Sequence, residues 1–357
     1  MPHVLNPAFA NGKSQIKWGS TGVQDSRILG FKSNEMRARF TTMAHRYPLI
    51  FNPSARSQRG RRTLRFLMSH AQWFVLYASR SAEDATELAA KLAEDGEPVV
   101  VAAGGDGTLN AVVQGLAGTK TALGVLPAGT MNVFARELGL PPNNLKKALQ
   151  ILEDGYIKEV DLFQANGRAF VQMAGIGFDA QVIEETTWEQ KKLLGPMAYV
   201  MSAMKVLGDK PPKLRIVCDD GHVEEGFCAL AGNGSLYGGQ VKLFRKADHA
   251  DDMLDMLVFT EAGFTLIRDS VKGLATGAID AGNSSVKYLQ SSGYEIQCDQ
   301  EVPMEVDGEY VGRVENISLM PAKRKLKVIA PQNPKDGIFT TIVKTLVNIP
   351  RRGDGLE

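Results

Sequence analysis

Hydrophobic positions along the chain change rhythm near Gly155. Before that point, short unbroken apolar runs alternate with stripes at helical spacing. Tyr47–Pro53, Trp73–Tyr77, Pro98–Ala103 and Thr121–Leu126 read as strands. Ala85, Leu88, Ala89 and Leu92 fall at i, i+3, i+4 and i+7, and the segments Thr108–Leu116 and Leu145–Leu152 are also helical in pattern. Strands alternating with helices predict an α/β domain around a parallel sheet, with its site at the carboxyl ends of the strands. Beyond Gly155 the turns change character. Ala165-Asn-Gly-Arg168 and Asp219-Asp-Gly-His222 sit between apolar runs as hairpin turns. Leu214–Cys218, Phe227–Ala231, Met253–Thr260, Tyr294–Cys298, Met304–Val306, Ile317–Met320 and Lys325–Ile329 read as further strands of an antiparallel β domain. Two helices are expected among them, one with Met197, Val200, Met201 and Met204 on one face, the other over Thr265–Ile279.

The chain divides accordingly into a polar, disordered extension (1–45), an α/β domain (46–154), a β-rich domain (155–332) and a tail (333–357). In the tail, Ile338–Ile349 followed by Arg351 and Arg352 has the pattern of an amphipathic helix. The 357 residues suffice for two cores, and 44% hydrophobic with 23% charged residues is ordinary for a globular protein. A net charge of +1 excludes a general electrostatic attraction to nucleic acid or anionic membrane, so such contacts must be local. Cys218, Cys228 and Cys298 form no CxxC pair and read as core thiols of a reducing, cytoplasmic compartment. No apolar run is long enough to span a bilayer, and no secretory signal is visible.

The chemistry concentrates in Gly104-Gly-Asp-Gly-Thr-Leu-Asn110. A buried strand ends in three glycines around an aspartate, and a helix restarts at Thr108. Such a turn lets backbone N–H groups approach a phosphate, and the helix N-terminus adds favourable potential. Asp106 would repel a phosphate unless a metal ion or a reacting proton lay between them, which points to phosphoryl transfer. No lysine follows the last glycine, so this is not a Walker A loop, and charge neutralisation must come from metal and from arginines elsewhere. Pro127-Ala-Gly-Thr-Met-Asn132 is a second small-residue turn, where Gly129 permits close approach and Thr130 and Asn132 offer donors to phosphate or ribose.

The pairing of GGDGTLN with LPAGTMNVFARELGLP resembles the diacylglycerol-kinase catalytic family, which includes bacterial lipid kinases, sphingosine kinases and ceramide kinases. Later matches are VDL at Val160–Leu162, AGIGFDA at Ala174–Ala180, GNGSLYGG at Gly232–Gly239, LDMLVF at Leu254–Phe259 and VDGE at Val306–Glu309. The resemblance implies a two-domain kinase with a nucleotide-binding α/β domain, a β-sandwich-like domain and an active site in the cleft between them. Its co-substrate would be ATP and its cation Mg²⁺. Gly104, Gly105, Asp106, Gly107, Thr108, Leu109, Asn110 and Thr130 would hold the nucleotide, with Asn52 of the Asn-Pro turn and Ser79 nearby. Asp307 and Glu309 match acids near the transferred phosphate. Asp-Gly between strand-like runs reads first of all as a hairpin turn; as residues i and i+2 of an extended chain the two acids would instead both face the cleft, one removing the acceptor hydroxyl's proton and the other helping to hold Mg²⁺, and Asp106 competes for the proton. A structural Mg²⁺ is implied on Asp251, with carbonyls of Asp248 and Met253 and a link through Asp161.

The chain departs from the family pattern at Val133, where an acid is usual, at Ser54-Ala55, where Ser-Gly is usual, and at Asp252, where glycine is usual. The implied reaction is transfer of the γ-phosphoryl group to a lipid hydroxyl, diacylglycerol first. The implied partner is a membrane lipid met by peripheral contact at the inner membrane surface, with no nucleic acid and with homodimerisation left open. The alternatives are an NAD kinase-like enzyme, disfavoured by PAGTMNVFARELG, and a non-catalytic nucleotide or lipid sensor, favoured by Val133. Arg56, Arg59, Arg61, Arg62 and Arg65 form the densest basic patch, suited to a solvated helix face, ATP phosphates or lipid headgroups.

Overall fold

The computed structural model describes residues 46–53, 58–142, 144–177, 212–237, 241–261 and 285–332. The expectations for the 1–45 extension, the Met197–Met204 face, the Thr265–Ile279 helix, the Ile338–Ile349 helix and Arg56 lie outside these residues. The first half comprises β1 (Tyr47–Phe51), α1 (Gln58–Ser69), β2 (Phe74–Ala78), α2 (Ala82–Glu94), β3 (Val99–Gly104), α3 (Asp106–Leu116), β4 (Ala122–Pro127), α4 (Val133–Glu137), α5 (Leu145–Asp154) and β5 (Ile157–Val160). The second comprises β6 (Phe163–Ala165), β7 (Arg168–Phe170), β8 (Met173–Ile176), β9 (Leu214–Cys218), β10 (Val223–Gly226), β11 (Cys228–Gly232), β12 (Leu236–Tyr237), β13 (Val241–Lys242), β14 (Leu254–Phe259), β15 (Val286–Ser291), β16 (Tyr294–Val306), β17 (Glu309–Pro321) and β18 (Leu326–Ile329).

The first sheet runs β2-β1-β3-β4-β18-β5, with β1 to β4 mutually parallel and β18 parallel to β4. The Val-Val-Val-Ala-Ala run of β3 is buried throughout because helices cover both faces of this sheet. Helix α2 begins at Ser81, whose side chain accepts from Asp84 N, and buries Ala85, Leu88, Ala89 and Leu92, the stripe its spacing predicts. Gly115 lets α3 pack tightly on α2, since a Cβ there would lie 2.3 Å from the Thr86 carbonyl oxygen. The helix that opens the glycine turn is thereby fixed from behind.

The Lys325–Ile329 run corrects the domain reading. It forms β18, which lies between β4 and β5 in the first sheet rather than in the β domain. Leu326, Val328, Ile329 and Ala330 are buried in the same core as β3 and β4. The α/β unit is thus built from two stretches of chain, and β5, beyond the expected boundary, closes its edge antiparallel to β18.

The second sheet is antiparallel and follows β15-β14-β11-β8-β16-β17-β6-β7, with β9 pairing β16 and β10 pairing β9. Tyr294–Cys298 and Met304–Val306 belong to one 13-residue strand, β16, with a register shift between Gln297 and Val302. Apolar clusters lie on both faces: Leu254, Met256 and Val258 of β14 join one, Leu257 and Phe259 the other. Cys218, Cys228 and Cys298 are free thiols. Among the described residues, no helix is long and apolar enough to cross a membrane.

Candidate active site

Strand β3 delivers Gly104 and Gly105 to the start of α3, and β4 delivers Ala128 and Gly129 beside them. Ala128 N and Gly129 N both donate to the Gly104 carbonyl, at 2.8 and 3.2 Å. A Cβ on Gly129 would stand 2.3 Å from Gly105 Cα, and a Cβ on Gly104 2.6 Å from Thr108 Oγ1. The two turns meet backbone to backbone, and no other residue fits at Gly129 without moving one of them. They floor a cavity of about 490 Å³ whose walls include Asn52, Pro53, Arg61, Leu64 and Thr108. It lies at the carboxyl ends of β1, β3 and β4, where an open α/β sheet places its ligands. Arg61 of α1 brings a cation to a glycine loop that carries none.

Several expected ligands are otherwise engaged. Leu109 is in the core. Asn110 is buried, its Nδ2 donating to the Asp307 carbonyl at 3.0 Å, so it joins the two domains instead of facing a nucleotide. Ser79 is buried too, its hydroxyl donating to Phe51 O at 3.2 Å behind the cavity wall. Thr130 is exposed beside Gly129. Asn132 takes a left-handed conformation (φ 47°) and folds its amide onto Gly129 N and O and Pro142 O, which uses up the donors expected for phosphate or ribose.

The three candidate acids separate into different roles. Asp106 Oδ2 accepts from Asn132 N at 2.9 Å and Oδ1 from Val133 N at 2.8 Å. It thus caps α4 and ties the two turns together. Burial raises its pKa against the opposing effect of those N–H donors. Asp307 does not extend the strand: Asp307 (φ 49°) and Gly308 (φ 83°) form the two-residue turn between β16 and β17. The i, i+2 alternation of an extended chain therefore does not apply. The residue is half-exposed at the turn, but its carboxylate is drawn under residues 171–173, where Val171 N, Gln172 N and Met173 N donate to it at 2.9–3.0 Å. Burial pushes it up to about 6. Glu309 reaches the first turn of α3. Its Oε1 would lie 3.4 Å from a Cβ on Gly107, against the glycine turn, and its Oε2 accepts from Arg168 Nη2 at 2.5 Å. Burial raises its pKa and Arg168 opposes the rise.

The Asp248–Met253 loop does not fit a structural Mg²⁺. Asp248 Oδ1 accepts from Ala250 N, Asp251 Oδ1 from Met253 N, and Asp251 N donates to Asp248 O, so these groups close the loop on itself. Asp161, buried, accepts from Asp252 N at 2.8 Å. The Lys325 ammonium stands 2.7 Å from both Asp161 Oδ1 and Asp252 Oδ1. Among the described residues no three acids, histidines or cysteines converge as a metal-holding group. Lys325, in a run read only as a strand, supplies the positive charge.

Sequence reasoning also passed over Arg168, Gln114 and Glu137. Arg168 was legible only as the end of a hairpin turn. Gln114 of α3 exchanges two hydrogen bonds with the Ala169 backbone, at 2.5 and 3.1 Å. Glu137 of α4 accepts from Ser235 Oγ, Leu236 N and Gln172 Nε2, a second join between the domains.

Residues 46–165 match the diacylglycerol kinase catalytic domain, and residues 172–330 match the YegS C-terminal NAD kinase beta sandwich-like domain. A diacylglycerol kinase of Staphylococcus saprophyticus is 29% identical over 302 residues, covering 82% of this chain and 98% of that protein. One of Bacillus subtilis is 30% identical over 216 residues, 60% of this chain and 70% of the relative. The solved structure of a diacylglycerol kinase from Bacillus anthracis str. Sterne has the same fold, with a TM-score of 0.63 at 22% identity over 82% of this chain and 99% of that one. With both domain models matched in order and the glycine turns in contact at the sheet's carboxyl edge, the chain belongs to the diacylglycerol kinase catalytic-domain family.

Proposed function

We propose that this protein is an ATP-dependent lipid kinase that transfers the γ-phosphoryl group to a lipid hydroxyl, with diacylglycerol as acceptor and phosphatidic acid as product. The observation that carries the reading is the meeting of Glu309 with Gly107: a carboxylate from the β domain lies with its Oε1 against the glycine turn of the α/β domain. In this reading the phosphates lie over Gly104–Thr108 and Gly129, with Arg61 beside them and Mg²⁺ arriving as part of the ATP co-substrate. The acceptor hydroxyl gives its proton to Glu309 Oε1 while its oxygen forms a bond to the γ-phosphorus. The bond from that phosphorus to the β–γ bridging oxygen breaks, and ADP leaves. The acceptor reaches the cleft by peripheral contact with a membrane.

The test is transfer of label from [γ-³²P]ATP to diacylglycerol, sphingosine, ceramide and NAD, the lipids presented in mixed micelles. Labelled phosphatidic acid is expected. Label on NAD alone would replace the acceptor class, and ATP binding with no transfer to any acceptor would leave a nucleotide-binding protein.

A further inference from the structure

We infer that Arg168 is a positioning residue of this site, holding one oxygen of Glu309 so that the other is presented to the glycine turn. The inference rests on the kinase reading above. Strand β7 carries Arg168 as its first residue, and the next residue, Ala169, is bonded through both backbone groups to the Gln114 side chain of α3. Arg168 is therefore fixed to the helix that begins in the glycine turn. Glu309 comes from the other direction, as the first residue of β17 after a turn whose Asp307 is anchored to residues 171–173. The two side chains meet at Nη2–Oε2, 2.5 Å, and Oε1 is left against Gly107.

The pair is too exposed to serve mainly as a stabilising ion pair, with 40% of the Arg168 side chain and 30% of the Glu309 side chain accessible. Its value lies in geometry. A carboxylate free to rotate offers either oxygen in many directions, whereas one oxygen held by a guanidinium fixes the direction of the other. Glu83 at the start of α2 also feels the Arg168 charge, and Glu309 feels Glu83 as a like charge. Removing Arg168 would thus release Glu309 and leave a neighbouring acid to repel it. The proton from the acceptor hydroxyl would go to Oε1, with the new P–O bond forming and the β–γ bridging bond breaking as above.

The experiment compares wild type, Arg168→Met, Arg168→Lys, Glu309→Gln and the Arg168→Met/Glu309→Gln double variant, each melted to verify folding. Steady-state kinetics use MgATP and diacylglycerol in mixed micelles, and calorimetry gives ATP affinity. Loss of positioning predicts kcat lowered about 100-fold in Arg168→Met, with KM for ATP and ATP affinity changed by less than about twofold. Arg168→Lys should recover part of kcat, and in the Glu309→Gln background the arginine change should add no further loss. A raised KM and weakened ATP affinity with kcat kept would instead make Arg168 a phosphate ligand, and additive losses would uncouple it from Glu309; either result overturns the inference. If Arg168→Met does not fold, the kcat and KM of Arg168→Lys decide in the same way. If wild type labels no lipid, the lipid reading fails by itself, and the series is then read on ATP hydrolysis with water as acceptor. A wild-type chain that transfers no phosphoryl group from ATP to any acceptor, water included, overturns both.

Discussion

Gly129→Ala should damage nucleotide binding more than its single added methyl suggests. The new Cβ would lie 2.3 Å from Gly105 Cα and 2.7 Å from Asn132 Oδ1. Ordinary carbon–carbon contact needs about 3.7 Å, so the two turns must separate by about 1.4 Å. Neither neighbour is a flexible side-chain end. Gly105 is backbone at the N-terminus of α3, and the Asn132 amide is pinned to Gly129 N and O. Overpacking of this kind costs about 1–3 kcal/mol, and a displacement of about 1 Å in a phosphate site costs about 100-fold in rate. Gly107→Ala is the control. Its Cβ meets only Glu309 Oε1, at an ordinary 3.4 Å, inside α3, where alanine favours the helix by up to about 1 kcal/mol. Thermal melting and calorimetric ATP titration of both variants decide the matter. Gly129→Ala should melt lower and bind ATP at least about tenfold more weakly, a loss of about 1.4 kcal/mol, whereas Gly107→Ala should melt no lower than wild type. A Gly129→Ala protein with wild-type melting and wild-type ATP affinity would refute the contact between the two turns as the basis of the site.

Three further outcomes separate the roles of the charged groups. Asp106→Ala removes the acceptor for Asn132 N and Val133 N, so a capping loss of about 1–2 kcal/mol and weakened ATP binding are expected together; Glu309→Gln should instead lower kcat by about 100- to 10,000-fold, to a residual rate that is still measurable, with ATP affinity kept, and calorimetry on both variants tells these apart. Lys325→Met leaves Asp161 buried without its cation and should destabilise the fold by about 2 kcal/mol or more, the half-exposure of Lys325 keeping this below the full cost of breaking a buried pair; wild-type melting should not respond to EDTA, and a lowered melting point in EDTA would refute the replacement of metal by lysine. Asp255, fully buried with one oxygen on Tyr288 Oη, is pushed up to about 6 by burial. Its folded pKa lies above the unfolded value, so it stabilises the protein most below about pH 4, and that contribution fades through pH 6, by up to about 3 kcal/mol. Asp255→Asn should lack this fade, so its melting temperature relative to wild type should rise between pH 4.5 and 7, and a pH-independent difference would contradict the assignment.

The parallel sheet and the glycine turns were legible because their signals are local. A buried strand must be apolar throughout, and a turn that meets another backbone must be glycine at the point of contact. The arrangement of acids was not legible in the same way, because one motif supplied two kinds of carboxylate. VDGE places two acids two residues apart, which in an extended chain would aim both at the cleft. The left-handed Asp307 and Gly308 break that alternation and turn Asp307 under three backbone N–H groups, so Glu309 alone reaches Gly107. The fate of Lys325 was hidden for a different reason. Its partner Asp161 lies far away in sequence, and the two meet because β18 returns to the first sheet beside β5. That return also corrects the domain boundary, so the strand that completes the α/β sheet brings with it the cation standing beside the Asp248–Met253 loop. Fold and electrostatics are coupled at this point: a chain that kept Lys325–Ile329 in the β domain would leave the β4 edge without its neighbouring strand and the buried Asp161 carboxylate without its cation.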